Sequence, residues 1–258
     1  MWGDVTPAER LRAIARRGAG EDLAAAATAA LAGYADEPAS LVVACRRVIT
    51  HHPADSALLW ACTRLLTAAD PASEARRVVE ALRSDPTGRH LARALPLTDE
   101  SEAVVALGWT RAVDEACAER TDLPFLAYRV RGSDPTGALR ERRTDRSVRV
   151  LDPWDLPAGS VAVLLVPAIA IGPEGVLVTA DTEEMLTALV PNRSWIVAPE
   201  GHCLPGPLLR RIVEASGPQH VLLPNERFDA AVGPRGRAPV PETARQPGCA
   251  VAAEILRG

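Results

Sequence analysis

Up to about residue 95 the apolar positions recur every three or four residues; from about Glu102 they gather into short unbroken runs. Helical spacing marks helices with one buried face, and unbroken runs suit strands buried on both sides of a parallel sheet. The first stretch predicts helices over 8–18, 21–33, 39–51, 54–69 and 71–84. Thr6, Pro7 and Glu9 form an N-cap, a proline at the first helical position and an acid in the first turn, and Gly18 ends that helix. Over 39–51 the residues Leu41, Val42, Cys45, Val48 and Ile49 make one apolar face, broken after His51 by His52-Pro53.

Beyond Glu102 the runs VVALGW, PFLAYRV, SVRVLD, VAVLLV, SWIVAP and HVLLP read as strands. Between them lie helical stretches, RAVDEACAER, DTEEMLTALV and PGPLLRRIVEA. Strand alternating with helix at this spacing predicts right-handed βαβ crossovers. The fold class is therefore α/β: a helical domain over 1–95 and a Rossmann-like parallel α/β domain over 96–258. The proline-, glycine- and arginine-rich tail from about 229 to 248 fits either a returning strand or a mobile loop.

Composition narrows the function. The chain has 258 residues, 47% of them hydrophobic, enough for a sizeable core. A net charge of −4 lacks the clustered cationic surplus that nucleic acid or an anionic membrane demands, so neither partner is expected. All 29 cations are arginine, and without lysine there is no Schiff-base amine, P-loop lysine or lysine base. Cys45, Cys62, Cys117, Cys203 and Cys249 show no C-x-x-C spacing and read as reduced thiols, with no metal centre expected. The polar start and the absence of a long apolar stretch predict a cytoplasmic protein.

In Rossmann-like sheets ligands gather where strands end, so the residues after each run are the candidates. Gly108, Trp109, Thr110 and Arg111 offer a tight turn, a cap and a guanidinium at a helix N-terminus, a place for an anion; the alternative packs Trp109 and leaves Arg111 solvated. Gly172 and Gly175 flank the turn that ends the run from Leu164, where the only ionisable side chain is Glu174. Glu200 and His202 follow another strand, where either can move a proton or simply bond within its loop. Asp152 and Asp155 end a third, best explained as turn residues.

The segments Arg16–Leu31, Ala44–Leu66, VVALGWTRAV and VPAIAIGPEGVL, in that order, resemble the alpha, beta and delta subunits of eukaryotic initiation factor 2B and their relatives, methylthioribose-1-phosphate isomerase and ribose-1,5-bisphosphate isomerase. The resemblance implies a NagB/RpiA/CoA-transferase-like Rossmann half and a homodimer formed through it. It also implies a phosphate site at Arg17, Gly18, Ala19 and Gly20, where glycine admits close backbone approach and arginine supplies a forked donor; Arg17 can instead serve as a charge at a helix end.

Departures from the isomerases fall on their reacting groups. Their cysteine falls on Gly108, their aspartate on Ile169, their Asn-Lys pair on Val178-Thr179 and the arginine of an Arg-Pro-Thr turn on His52. Aldose–ketose isomerisation needs groups that exchange protons at the reacting carbons. The expectation is a non-catalytic, regulatory binder of a phosphorylated sugar or nucleotide, with no catalytic residue and no cofactor. Two alternatives stand beside it: an isomerase whose proton transfer has moved to Glu200, His202 or Asp152, and a ligand-free interaction scaffold.

Overall fold

A computed structural model describes residues 9, 23–99, 102–128, 148–151 and 160–256. Its chain divides into two compact units: one gathers 1–85, 200–216 and 246–258, the other 86–199 and 217–245. The expected cut at residue 95 was a single point in the chain, whereas this division runs through three stretches and returns the chain to the helical unit twice.

In the helical unit α1 (Leu23–Leu31), α2 (Pro38–His51), α3 (Ser56–Thr67) and α4 (Pro71–Arg83) follow the predicted helices closely. Their boundaries are chemical. Asp55 and Asp70 accept hydrogen bonds from Leu58 and Ser73, capping α3 and α4, and Pro38 and Pro71 open α2 and α4. The apolar face of α2 is buried at Leu41, Cys45, Val48 and Ile49, with Val42 at its margin. Helix α8 (Gly206–Ala215) and the short α10 (Ala253–Leu256) belong to the same unit; Arg46 donates from Nε to the Glu254 carbonyl at 2.8 Å, tying α10 to α2.

The second unit is a seven-stranded sheet in the order β10-β9-β7-β4-β1-β2-β3. Its strands are β1 (Glu102–Leu107), β2 (Phe125–Tyr128), β3 (Arg149–Leu151), β4 (Ser160–Pro167), β7 (Ser194–Val197), β9 (Ala230–Gly233) and β10 (Gly236–Ala238). All pair in parallel except β10, which turns back on β9. Helices α5 (Thr87–Ala94), α6 (Arg111–Glu119), α7 (Asp181–Leu189) and α9 (Val240–Ala244) accompany them. Val105 and Leu107 enter one core cluster, with Met185 and Val240; Val104 and Ala106 enter another, with Leu91 and Val113. Burial on both faces is why these strands read as continuous apolar runs. On β4 the adjacent Ala162 and Val163 share one cluster, and the register against β1 shifts at that point, from Ala103–Val161 to Val104–Val163.

Three features differ from the sequence expectation. HVLLP does not join the parallel sheet: β8 (His220–Leu223) pairs antiparallel with β6 (Gly175–Thr179), which pairs with β5 (Ala170–Gly172) in a separate three-stranded sheet. The next parallel strand is β9, inside the segment read as strand or loop. It is short and rich in alanine, but all four of its residues are buried. Finally, α5 was not anticipated, because its eight residues carry few large apolar side chains.

The β10 edge is short and guarded. The Arg237 guanidinium lies over the fully buried Trp195 ring, 4.5 Å from its centroid. None of the described helices is long and apolar enough to cross a membrane.

Candidate functional site

The order β3-β2-β1-β4-β7-β9 reverses direction between β1 and β4, the point at which doubly wound sheets open a crevice. Two candidate loops leave the sheet from these neighbouring strands. Ala106 pairs with Leu165, so the turn after β1 and the junction after β4 emerge side by side.

After β1, Gly108 adopts φ 91°, a left-handed conformation that favours glycine, and donates its N–H to the Tyr128 carbonyl at 3.1 Å. Thr110 caps α6, its hydroxyl accepting from the Val113 N–H at 3.4 Å. Arg111 is thereby the first residue of α6, at the positive end of its dipole. Its Nε lies 3.5 Å from Glu115 one turn on, with both side chains about one-third exposed. Trp109 is buried in the core with Leu91 and Val113, and its indole N–H donates to Asp114 at 3.2 Å. The turn thus offers backbone N–H groups and one guanidinium, tempered by two nearby carboxylates.

After β4, Ala168 donates to the Val197 carbonyl at 2.9 Å and Ile169 to the Leu177 carbonyl at 2.8 Å, which passes the chain into the β5–β6 hairpin. Gly172 and Gly175 face each other across that hairpin, with Pro173 and Glu174 at its exposed tip. The Gly172 carbonyl accepts from the buried Asn225 amide, and Gly175, at φ 150°, sits too close to the Leu223 carbonyl for a side chain. Both glycines serve the packing of the small sheet.

Glu200 and His202 fall in the helical unit. The Glu200 N–H donates to Asp85 Oδ2 at 2.7 Å. His202 Nδ1 lies 3.2 Å from the Glu200 carbonyl and donates to it in the Nδ1–H tautomer. Between them Gly201, at φ 84°, rests on α3: a Cβ there would stand 2.9 Å from Ala57 Cα and 3.2 Å from the Trp60 ring. Against this loop stand His52 and three residues that the sequence did not single out, Asp55, Trp60 and Arg64. Burial pushes the Asp55 carboxyl above its ordinary range, while the Leu58 N–H and the neighbouring His202 and His52 pull it down. His52 Nε2 and Trp60 Nε1 are buried without a hydrogen-bond partner among the described residues. Arg64 lies over the Trp60 ring and pairs with the buried Glu74.

The structure brings Gly108, Trp109, Thr110 and Arg111 together with the β4–β5 junction in one unit, and Glu200 and His202 with Asp55 in the other. Arg17, Gly18, Ala19, Gly20 and Asp152 lie outside the described residues. Among the described residues no group of three or more His, Cys, Asp or Glu side chains is arranged to hold a metal ion.

No family model and no curated protein sequence matches the chain. Solved structures do. Translation initiation factor eIF-2B from Pyrococcus horikoshii OT3 is similar at TM-score 0.68 and 14% identity, over 92% of this chain and 98% of that one. The tetrameric eIF2B-beta2-delta2 complex from C. thermophilum is similar at TM-score 0.66 and 12% identity, over 93% of each chain. Subunit delta of eIF-2B from A. fulgidus is similar at TM-score 0.59 and 18% identity, over 93% of this chain and 92% of that one.

Proposed function

We propose that this chain, which has the fold of the eIF2B subunits, is a non-catalytic, regulatory protein that binds a phosphorylated sugar or nucleotide and acts as a cytoplasmic homodimer. The observation that carries this reading is the pair of loops at the β1/β4 switch point. Gly108 to Arg111 keeps what an anion needs: a glycine turn, a capped helix N-terminus and a guanidinium. Ala168 and Ile169 beside it keep nothing that can exchange a proton with a bound sugar. Gly108 and Ile169 fall where the related isomerases carry cysteine and aspartate, so binding survives in this reading while turnover does not.

A thermal-shift titration with ribose 1,5-bisphosphate, methylthioribose 1-phosphate, fructose 6-phosphate and AMP tests it. A ligand that binds only the folded protein stabilises it by about 2.7 kcal/mol at a hundredfold excess over its dissociation constant. The expected result is a shift with at least one ligand, lost in Arg111→Ala, and no product after prolonged incubation with that ligand. No shift with any of the four overturns the reading and favours the scaffold.

One observation favours a second reading, an isomerase with relocated chemistry: His202 stands near a carboxyl, Asp55, that burial biases toward its protonated form. Turnover that disappears in His202→Ala or Glu200→Gln would establish it in place of the first.

A further inference from the structure

Four of the five cysteines belong to the helical unit, and they form two pairs of different character. Cys45 and Cys62, on α2 and α3, are fully buried with their thiols hydrogen-bonded together, closed to any reagent. Cys203 and Cys249 are half-buried. The Gly248 N–H donates to the Cys203 carbonyl at 3.1 Å, and the Cys203 thiol donates to the Gln246 carbonyl at 3.5 Å, so segment 246–249 runs directly alongside the loop that follows β7. The first of these hydrogen bonds joins Cys203 to the residue immediately before Cys249, so a disulfide between the two thiols would close across adjoining backbone. Cys249 is the next residue along, and its thiol feels that of Cys203.

We propose that Cys203 and Cys249 form a reversible disulfide, a modification site for hydrogen peroxide or a small disulfide such as oxidised glutathione. The Cys203 thiolate attacks the peroxide O–O bond, becoming a sulfenic acid and releasing hydroxide. The Cys249 thiolate then attacks the Cys203 sulfur, the S–O bond breaks and a second hydroxide leaves. The two thiol protons turn both hydroxides into water: two thiols lose two electrons and the peroxide gains them. With oxidised glutathione the same bond forms by two exchanges that release two glutathione thiols. Burial pushes the Cys249 thiol up, and in this proposal Cys203 makes the first attack and Cys249 the resolving one. Segment 246–249 covers Trp60, since a Cβ at Gly248 would stand 2.7 Å from Trp60 Nε1, and Glu200 Oε1 lies beside the same point. The bond would fix this cover to the loop that carries Glu200 and His202.

The test treats the folded full-length protein with hydrogen peroxide or with oxidised glutathione, blocks remaining thiols, digests with trypsin without reductant and weighs the peptides. The expected product joins the peptide 194–210 to the peptide 246–257 with loss of two hydrogens, cleaved by dithiothreitol, while Cys45 and Cys62 stay alkylatable only after unfolding. Cys203→Ser and Cys249→Ser each abolish the cross-link; Cys249→Ser leaves Cys203 as a sulfenic acid or glutathione adduct, and Cys203→Ser leaves Cys249 unmodified. Over-oxidation of Cys203 without a cross-link, a bond between Cys45 and Cys62, a bond between two chains, or no reaction at all overturns the proposal, and the wild-type map alone decides it if a variant fails to fold.

Discussion

Gly88 of α5 lies directly beneath Glu115 of α6: a Cβ at position 88 would stand 2.6 Å from the Glu115 Cβ and 3.0 Å from the Ala112 carbonyl. The two helices approach as closely as they do because one of them has no side chain there. The contact also holds the carboxylate that faces Arg111, so packing between α5 and α6 reaches the turn after β1.

Gly88→Ala is therefore expected to destabilise the protein by about 1–3 kcal/mol, the ordinary cost of overfilling a tight contact. Urea unfolding at constant slope measures it. An unchanged midpoint would mean that α5 shifts freely and that Glu115 is not held from below.

Glu115→Gln frees Arg111 from an ion pair that is about one-third exposed on both sides. Such pairs are worth about 0–1 kcal/mol, so affinity for a ligand that titrates through Arg111 should rise, at most about fivefold. A fall in affinity would assign Glu115 to ligand contact.

Asp55→Asn tests the buried carboxyl. Its folded pKa is raised above the ordinary 3.8 by burial, so the contribution of this group to stability is complete below pH 3.8 and is lost as pH rises through the folded value. Asparagine still accepts the Leu58 N–H but never ionises. The variant should therefore be more stable than the parent at pH 7, with the difference closing in acid. Chemical unfolding at pH 7 and pH 3.5 compares the two; greater stability of the parent at neutral pH would mean that His52 and His202 outweigh burial.

The resolving step of disulfide formation should follow the Cys249 thiol, pushed up to about 12 by burial. Between pH 7 and 9 its thiolate fraction, and with it the rate of closure after sulfenic acid forms, grows about tenfold per pH unit. Arg64 lowers that value, so Arg64→Ala should slow closure at every pH. Stopped-flow tryptophan fluorescence reads it through Trp60, and a pH-independent rate would exclude Cys249 as the resolving thiol.

The helical half was legible because its signals are local: apolar positions recurring every three or four residues, a proline at the start of α4 and a histidine-proline break after α2 each act within a turn or two. The sheet was legible as a class and less so in its pairing. HVLLP has the composition of a buried parallel strand, and nothing within it states that its neighbour is β6. Conversely, the alanines of β9 carry little signal, and only the sheet around them makes that segment a strand. Helix α5 is stabilised by a contact at Gly88 that no spacing rule contains. The same distinction divides the candidate sites. Gly108 and Thr110 announce a turn and a cap by residue type alone. Asp55, Asp85 and Trp60 acquire meaning from a loop far along the chain, which returns to the helical unit at Glu200.

The three-residue β10, with Arg237 folded over Trp195, also determines where the seven-stranded sheet stops. An open sheet border invites another chain to add a strand, and a border this short, carrying a cation, offers too few backbone groups to nucleate one. On that side the sheet offers little for a further strand to pair with.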